Sequence, residues 1–231
     1  MHLTLLDPNT PEQDFPPLQL ALDEPNGLLA VGGCLSTVRL LNAYRHGIFP
    51  WYNPDEPILW WSPNPRLVLL PENLRISHSL RKTLRKQFFE VSFDRAFNDV
   101  INACAETRKN SGGTWISTEI SQAYIKLYEL GIAHSVEAWH DGTLAGGLYG
   151  VALGQVFFGE SMFHRQTDAS KIAFVTLVQK LSEWGYQLVD CQVHTHHLAS
   201  LGAESITRSH FVKLLEQYCN KTAFPLAWKN V

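Results

Sequence analysis

The chain has 231 residues, 45% of them hydrophobic, with a formal net charge of −3. That is enough apolar material for one large core, or for one domain and a smaller companion, and the acidic balance argues against a surface given over to nucleic acid while leaving room for a local basic patch. No apolar run approaches the roughly 18 residues that suggest a membrane helix, Met1–Asp7 lacks the features of a signal peptide, and the cysteines at 34, 104, 191 and 219 form no CxxC pair; the expectation is a cytoplasmic monomer with free thiols.

Residues 1–35, rich in Pro, Asp, Asn and Gly, read as mostly irregular. A helix follows in "STVRLLNAYRHG", with Ser36 as N-cap and Gly47 as its stop. The prolines of "IFPWYNPDEPILWWSPNPR" preclude a long helix, and its aromatics at 49, 51, 52, 60 and 61 suit either a rigid buried connector or a stacking wall. "LVLLP" (67–71) reads as a strand opening the main domain.

The pattern of "SHSLRKTLRKQFF" predicts a helix with Leu80, Leu84 and Phe88 on one face. From Arg75 to Lys86 the chain carries Arg75, Arg81, Lys82, Arg85 and Lys86 and no acid. A solvated helix face explains this, and so does a phosphate-binding strip. Two further helices are predicted in "FNDVINACAETRK" and "STEISQAYIKLYELG", the second capped by Ser117 or Thr118, with the glycine-rich "SGGTWIS" between them presenting Trp115.

Residues 133–163 alternate and carry turn signals at "HDG" and "ALGQ", which predicts three antiparallel strands. An amphipathic helix follows through Phe174, Leu177, Val178, Leu181 and Trp184, then a strand in "YQLVDCQVH", a short helical turn and a last helix in "SHFVKLLEQYC". A meander followed by a helix and one more strand predicts an α/β (α+β) domain with a mixed sheet.

"LVDCQVHTHHLASLGA" (188–203) crowds acid, thiol and imidazole together. If 186–194 is a strand, Asp190, Gln192 and His194 share one face, and Val189, Cys191 and Val193 face the core. Cys191 is then a packing residue rather than a nucleophile. With no HExxH and no Cys pair, the histidines fit a structural turn better than a zinc site. Asp190 differs, because a carboxylate among apolar neighbours needs a partner or a task.

Five stretches, "GLLAVGGCLS", "RHGIFPWY", "WWSPNPR", "VFFGESMFHRQTDASKIA" and "DCQVHTHHLASLGA", run in order from residue 27 to 203. In them the chain resembles the leucyl/phenylalanyl-tRNA–protein transferase family. The resemblance implies a small N-terminal domain (1–66) and an acetyltransferase-like (GNAT-type) mixed-sheet catalytic domain (67–231). It implies aminolysis of an ester, in which Leu, Phe and less readily Met pass from aminoacyl-tRNA to the N-terminal Arg or Lys of an acceptor protein, marking it for degradation by the N-end rule. No metal or cofactor is required. "FHRQTDASK", where acetyltransferases hold coenzyme A on glycines, contains none.

The resemblance also implies roles. Trp51 and Trp115 contact the 3′ adenosine, and Arg75, Arg81, Lys82, Arg85 and Lys86 hold tRNA phosphates. Leu148, Phe157, Phe174, Leu177, Leu181 and Val189 line an apolar pocket, although the same stripe would serve any core helix. Glu160 receives the cationic acceptor, and Asp190 with Gln192 is the catalytic pair. The Gln192 oxygen is expected to orient the amine and Asp190 to position it, since a neutral amide is too weak a base to act alone. A coenzyme A-dependent N-acetyltransferase, a non-catalytic RNA-binding module and, last, a zinc hydrolase are the rival readings.

Overall fold

The computed structural model describes residues 3–109 and 115–229. Residues 110–114, which include the first four of the predicted glycine-rich loop, lie outside them. Residues expected to be irregular instead contribute two strands. β1 (Thr4–Leu6), β2 (Leu28–Gly32), β3 (Phe49–Pro50) and β4 (Leu59–Trp61) form a sheet in the order β1-β2-β4-β3. Strands this short carry too little alternation to be read from sequence. Helix α1 (Thr37–Arg45) begins where Ser36 Oγ accepts the Arg39 N–H at 3.2 Å.

The remaining elements are β5 (Arg66–Leu69), α2 (His78–Arg85), β6 (Glu90–Phe93), α3 (Phe97–Lys109), α4 (Thr118–Glu129), β7 (Ala133–His140), β8 (Thr143–Leu153), β9 (Val156–His164), α5 (Ala169–Glu183), β10 (Leu188–Gln192), α6 (His196–Ser200), β11 (Glu204–Ile206) and α7 (Arg208–Tyr218). Seven strands join in the order β11-β5-β10-β9-β8-β7-β6. The predicted meander is β7–β8–β9, and β10 lies parallel to β9, which makes the sheet mixed. Ser117 caps α4 by accepting the Ile120 N–H at 3.2 Å.

Helix α2 corrects the expected 77–89 span. It ends at Arg85, and Gln87 adopts a left-handed φ of 49°. Phe88 is therefore off the helix face, exposed, and stacked on His140 at 4.0 Å. Helix α5 is buried on more than the predicted stripe, since Ala169, Ser170, Ala173 and Val175 are buried alongside Phe174, Leu177 and Leu181. It is covered by the sheet on one side and by α2 and residues 71–73 on another.

Two apolar clusters flank the large sheet. One gathers Tyr44, Tyr124, Phe158 and Phe211 with residues of the small sheet, and the other gathers Leu148, Phe157, Phe174 and Val189 around α5. Among the described residues, no helix is long and apolar enough to cross a membrane.

Candidate active site

The site forms where β9 and β10 part. Their parallel pairing runs Leu188↔Val156, Val189↔Phe157 and Asp190↔Phe158. Just beyond, both strands bulge. Glu160 is the extra residue between Gly159 and Ser161 opposite β8, and Cys191 is the extra residue between Asp190 and Gln192 opposite β5. Bulges end pairing and re-aim side chains, and here they open a cavity of about 260 Å³. Its apolar wall includes Leu148, Phe157, Met162, Phe174, Val189 and Leu198, and its polar wall includes Glu160, Asp190 and Gln192.

The expected alternation along 186–194 holds only to Cys191. Gln192 has a left-handed φ of 61°, uncommon for a residue with a Cβ. Beyond this kink Val193, expected in the core, is 51% exposed. Cys191 is buried, and burial drives its thiol well above the usual range, which suits packing and not nucleophilic attack.

Asp190 is fully buried, and both its oxygens are engaged by Arg66, Nε to Oδ1 at 2.8 Å and Nη2 to Oδ2 at 2.6 Å. Oδ1 also accepts the backbone N–H of Gln192 at 2.9 Å. The Arg66 guanidinium lies 4.7 Å from the ring centroids of both Phe49 and Phe211. Taking two charges out of water is costly, and this pair offsets the cost by bidentate geometry and cation–π contact.

Glu160, 7% exposed, accepts from Tyr44 Oη (2.8 Å) and Gln192 Nε2 (2.9 Å) at Oε1, and from Tyr124 Oη (2.8 Å) at Oε2. The Tyr44 and Tyr124 hydroxyl oxygens also meet each other, and with one proton apiece the two phenols can satisfy only two of these three contacts while Glu160 is ionised. Burial pushes the Glu160 carboxyl up to about 7, against the lowering effect of the two tyrosines. The Gln192 amide nitrogen is committed to Glu160, and its Oε1 has no protein partner among the described residues.

Other expected residues lie elsewhere. Leu177 and Leu181, expected in the pocket, are fully buried but absent from its wall. They extend the Phe174 stripe by about 10 Å along α5, beyond the reach of the cavity. Trp51 and Trp115 do not line it either. Trp51 is half exposed, its ring 5.6 Å from that of Trp61, and Trp115 is partly buried. Arg75, Arg81, Lys82, Arg85 and Lys86 are all exposed, and no carboxylate among the described residues pairs with them. His194 and His196 are exposed and meet edge to face at 5.5 Å. Among the described residues, no group of three or more His, Cys, Asp or Glu is placed to hold a metal.

The sequence gives no site role to Arg66, Tyr44 or Tyr124. Arg66 had a signal, a lone cation heading the apolar run "RLVLL". The two tyrosines had none beyond helical spacing, which reads them as core.

The model of the leucyl/phenylalanyl-tRNA protein transferase family matches residues 68–216, and that of its N-terminal domain matches residues 33–64. This chain belongs to the leucyl/phenylalanyl-tRNA–protein transferase family. A member from Methylococcus capsulatus is 60% identical over 99% of this chain and 97% of its own length, and one from Aromatoleum aromaticum is 62% identical over 93% and 91%. Among solved structures, a GCN5-related N-acetyltransferase from Kribbella flavida aligns at 14% identity over 72% of this chain and 60% of its own, with a TM-score of 0.39, too distant a likeness to bear on function.

Proposed function

We propose that this chain transfers Leu, Phe and less readily Met from aminoacyl-tRNA to the α-amine of an N-terminal Arg or Lys on an acceptor protein, working in the cytoplasm on a substrate made there. The observation that carries this reading is the two-sided cavity: an apolar wall sized for an aliphatic or aromatic side chain, facing Glu160 and the free Gln192 oxygen. The names of the relatives point the same way.

In the reaction a C–N bond forms, the ester C–O bond to the tRNA ribose breaks, and one amine proton is passed on, ending on the ribose oxygen. An α-amine of pKa about 7.7–8.0 is already partly free at neutral pH. Gln192 Oε1 accepts a hydrogen bond from the incoming amine and aims its lone pair at the carbonyl. The amide can do this because Glu160 holds its nitrogen end. Asp190 touches no reacting atom. It is a positioning residue that fixes the Gln192 backbone, and Arg66 fixes Asp190. Alignment of this kind is worth effective molarities of about 10⁵–10⁸ M.

Glu160, ionised above about pH 7, attracts the acceptor's cationic side chain. Trp51 and Trp115 hold the 3′ adenosine, each stacking contact worth about 1–3 kcal/mol. The exposed cations from Arg75 to Lys86 hold the tRNA backbone. Residues 1–66 and 67–231 serve as the two domains of this machine.

The test is transfer itself. Pure protein, radiolabelled Leu-tRNA and a peptide with N-terminal Arg, without ATP or coenzyme A, are expected to yield labelled peptide, and an N-terminal Ala peptide is expected to stay unlabelled. Bound tRNA with no transfer would overturn the reading in favour of an RNA-binding module.

A further inference from the structure

The apolar wall has a backing that the reaction does not explain. Residues 220–229 fold back over the end of α5, anchored by Phe224 N–H to the Trp184 carbonyl at 2.9 Å and by Gln155 Nε2 to the Thr222 carbonyl at 3.1 Å. This segment delivers Trp228, at a left-handed φ of 65°, into an aromatic clamp. The indole stacks on His134 (4.0 Å, 9° between planes) and packs against Trp184 (5.0 Å) and Phe93 (6.1 Å). Its Nε1 donates to Tyr186 Oη at 2.9 Å, and His134 is itself tied to Asp94 Oδ2 at 2.7 Å.

The same indole stacks on Phe157, with centroids 5.7 Å apart and planes inclined by 26°. Phe157 belongs to the cavity wall. Its ring is confined elsewhere too: a Cβ on Gly150 would lie 2.5 Å from Phe157 Cζ, so the ring occupies the space that the missing side chain leaves. Phe157 is thus held between β8 and the Trp228 clamp. A ring backed on one side by a hydrogen-bonded indole cannot retreat when a bulky group enters the cavity, because packed interiors transmit such strain rather than absorb it.

We propose that Trp228 is a specificity-determining residue, which sets the depth of the aminoacyl pocket by backing Phe157. This rests on the reading of the cavity as the aminoacyl pocket. Removing the indole leaves room behind Phe157, so its ring yields to a larger donor side chain, and the enzyme shifts toward Phe over Leu.

The test is competition between Leu-tRNA and Phe-tRNA for transfer to an N-terminal Arg peptide, with the full chain carrying Trp228→Ala, Trp228→Phe, Tyr186→Phe or Phe157→Ala. Trp228→Ala is expected to raise the Phe:Leu ratio of kcat/KM about tenfold, the lower end of what one methylene is worth in an apolar pocket, with KM for the peptide unchanged. Trp228→Phe restores most of the original ratio, and Tyr186→Phe, which only frees the indole N–H, shifts it less in the same direction. If thermal melting shows that Trp228→Ala does not fold, Tyr186→Phe carries the test, and an unmoved ratio there overturns the role of Trp228. Parallel loss for both donors, with the ratio altered only by Phe157→Ala, overturns the role of Trp228 and leaves the pocket standing. A ratio that none of the four moves overturns the pocket reading and this inference together.

Discussion

Arg66 grips both oxygens of Asp190, at 2.8 and 2.6 Å, and one of those oxygens holds the backbone of Gln192 at 2.9 Å. Asp190→Asn keeps the shape but leaves a buried guanidinium without its counter-charge. Breaking one side of such a pair costs about 3–5 kcal/mol, which in a chain of this size lowers Tm by about 10 °C. In the fraction that folds, kcat is expected to fall while affinity for aminoacyl-tRNA changes little, because Asp190 acts through Gln192 and not on the donor. A parallel collapse of affinity, measured by tRNA binding, would make Asp190 a binding residue instead.

Gln192 gives the sharper kinetic test. Gln192→Asn tolerates the left-handed backbone but draws the amide back by one carbon, away from Glu160 and from the amine it orients. Displacement by about 1 Å can cost roughly 100-fold. The expected result is a loss of that size in kcat with KM for aminoacyl-tRNA nearly unchanged. Retention of full turnover would remove Gln192 from the chemistry.

The alternation of 133–163 and the cap at Ser36 were legible because they are local. The bend at Gln192 is not, because long-range contacts fix it: Arg66, 124 positions from Asp190, aims the carboxylate that accepts the Gln192 N–H, and Glu160, 32 positions from Gln192, holds its amide. The Asp190 partner was half legible. The reasoning that a carboxylate between Val189 and Cys191 needs a counter-charge applies equally to Arg66 before "LVLL", and only the fold pairs residues 124 positions apart. The extent of the pocket along α5 is not legible either, since helical spacing gives a stripe but not where along it a cavity stops.

That last point separates two kinds of leucine. Leu177→Ala and Leu181→Ala remove fully buried side chains away from the cavity, so each is expected to cost about 2–5 kcal/mol of stability without altering the Leu:Phe ratio. Leu148→Ala, at the wall, is expected to alter the ratio. Denaturant midpoints alongside donor competition distinguish them, and a changed ratio in the Leu181 variant would extend the pocket deeper than its shape allows.

The exposed cations of α2 and its flanks make a prediction about salt. If they contact tRNA phosphates, the logarithm of the binding constant falls linearly with the logarithm of salt concentration, and each lost contact reduces that slope by about 0.7–0.9. Replacing Arg81 and Arg85 together by Ala is expected to flatten the slope by about 1.5 and to leave the Leu:Phe ratio alone. An unchanged slope would return the run to an ordinary solvated helix face.

Glu160 links stability and activity to pH in opposite senses. Its carboxyl lies near 7 in the folded chain against 4.5 for the free group. Below about pH 4.5 it is neutral whether folded or unfolded, and its burial is then harmless. As pH rises the unfolded chain releases the proton first, so stability drains away up to about pH 7 and is flat above. A carboxyl carried from 4.5 to about 7 on folding costs stability of about 3 kcal/mol once ionised. Glu160→Gln has no such proton, so its urea midpoint relative to the parent chain is expected to improve between pH 4.5 and 8. Activity runs the other way, because only the ionised carboxylate attracts the acceptor's cation. In the parent chain kcat/KM for an N-terminal Arg peptide is expected to rise through pH 7 before the amine's own titration near 8 adds a second limb. In Glu160→Gln only the second limb remains, and persistence of the first would assign it to another group.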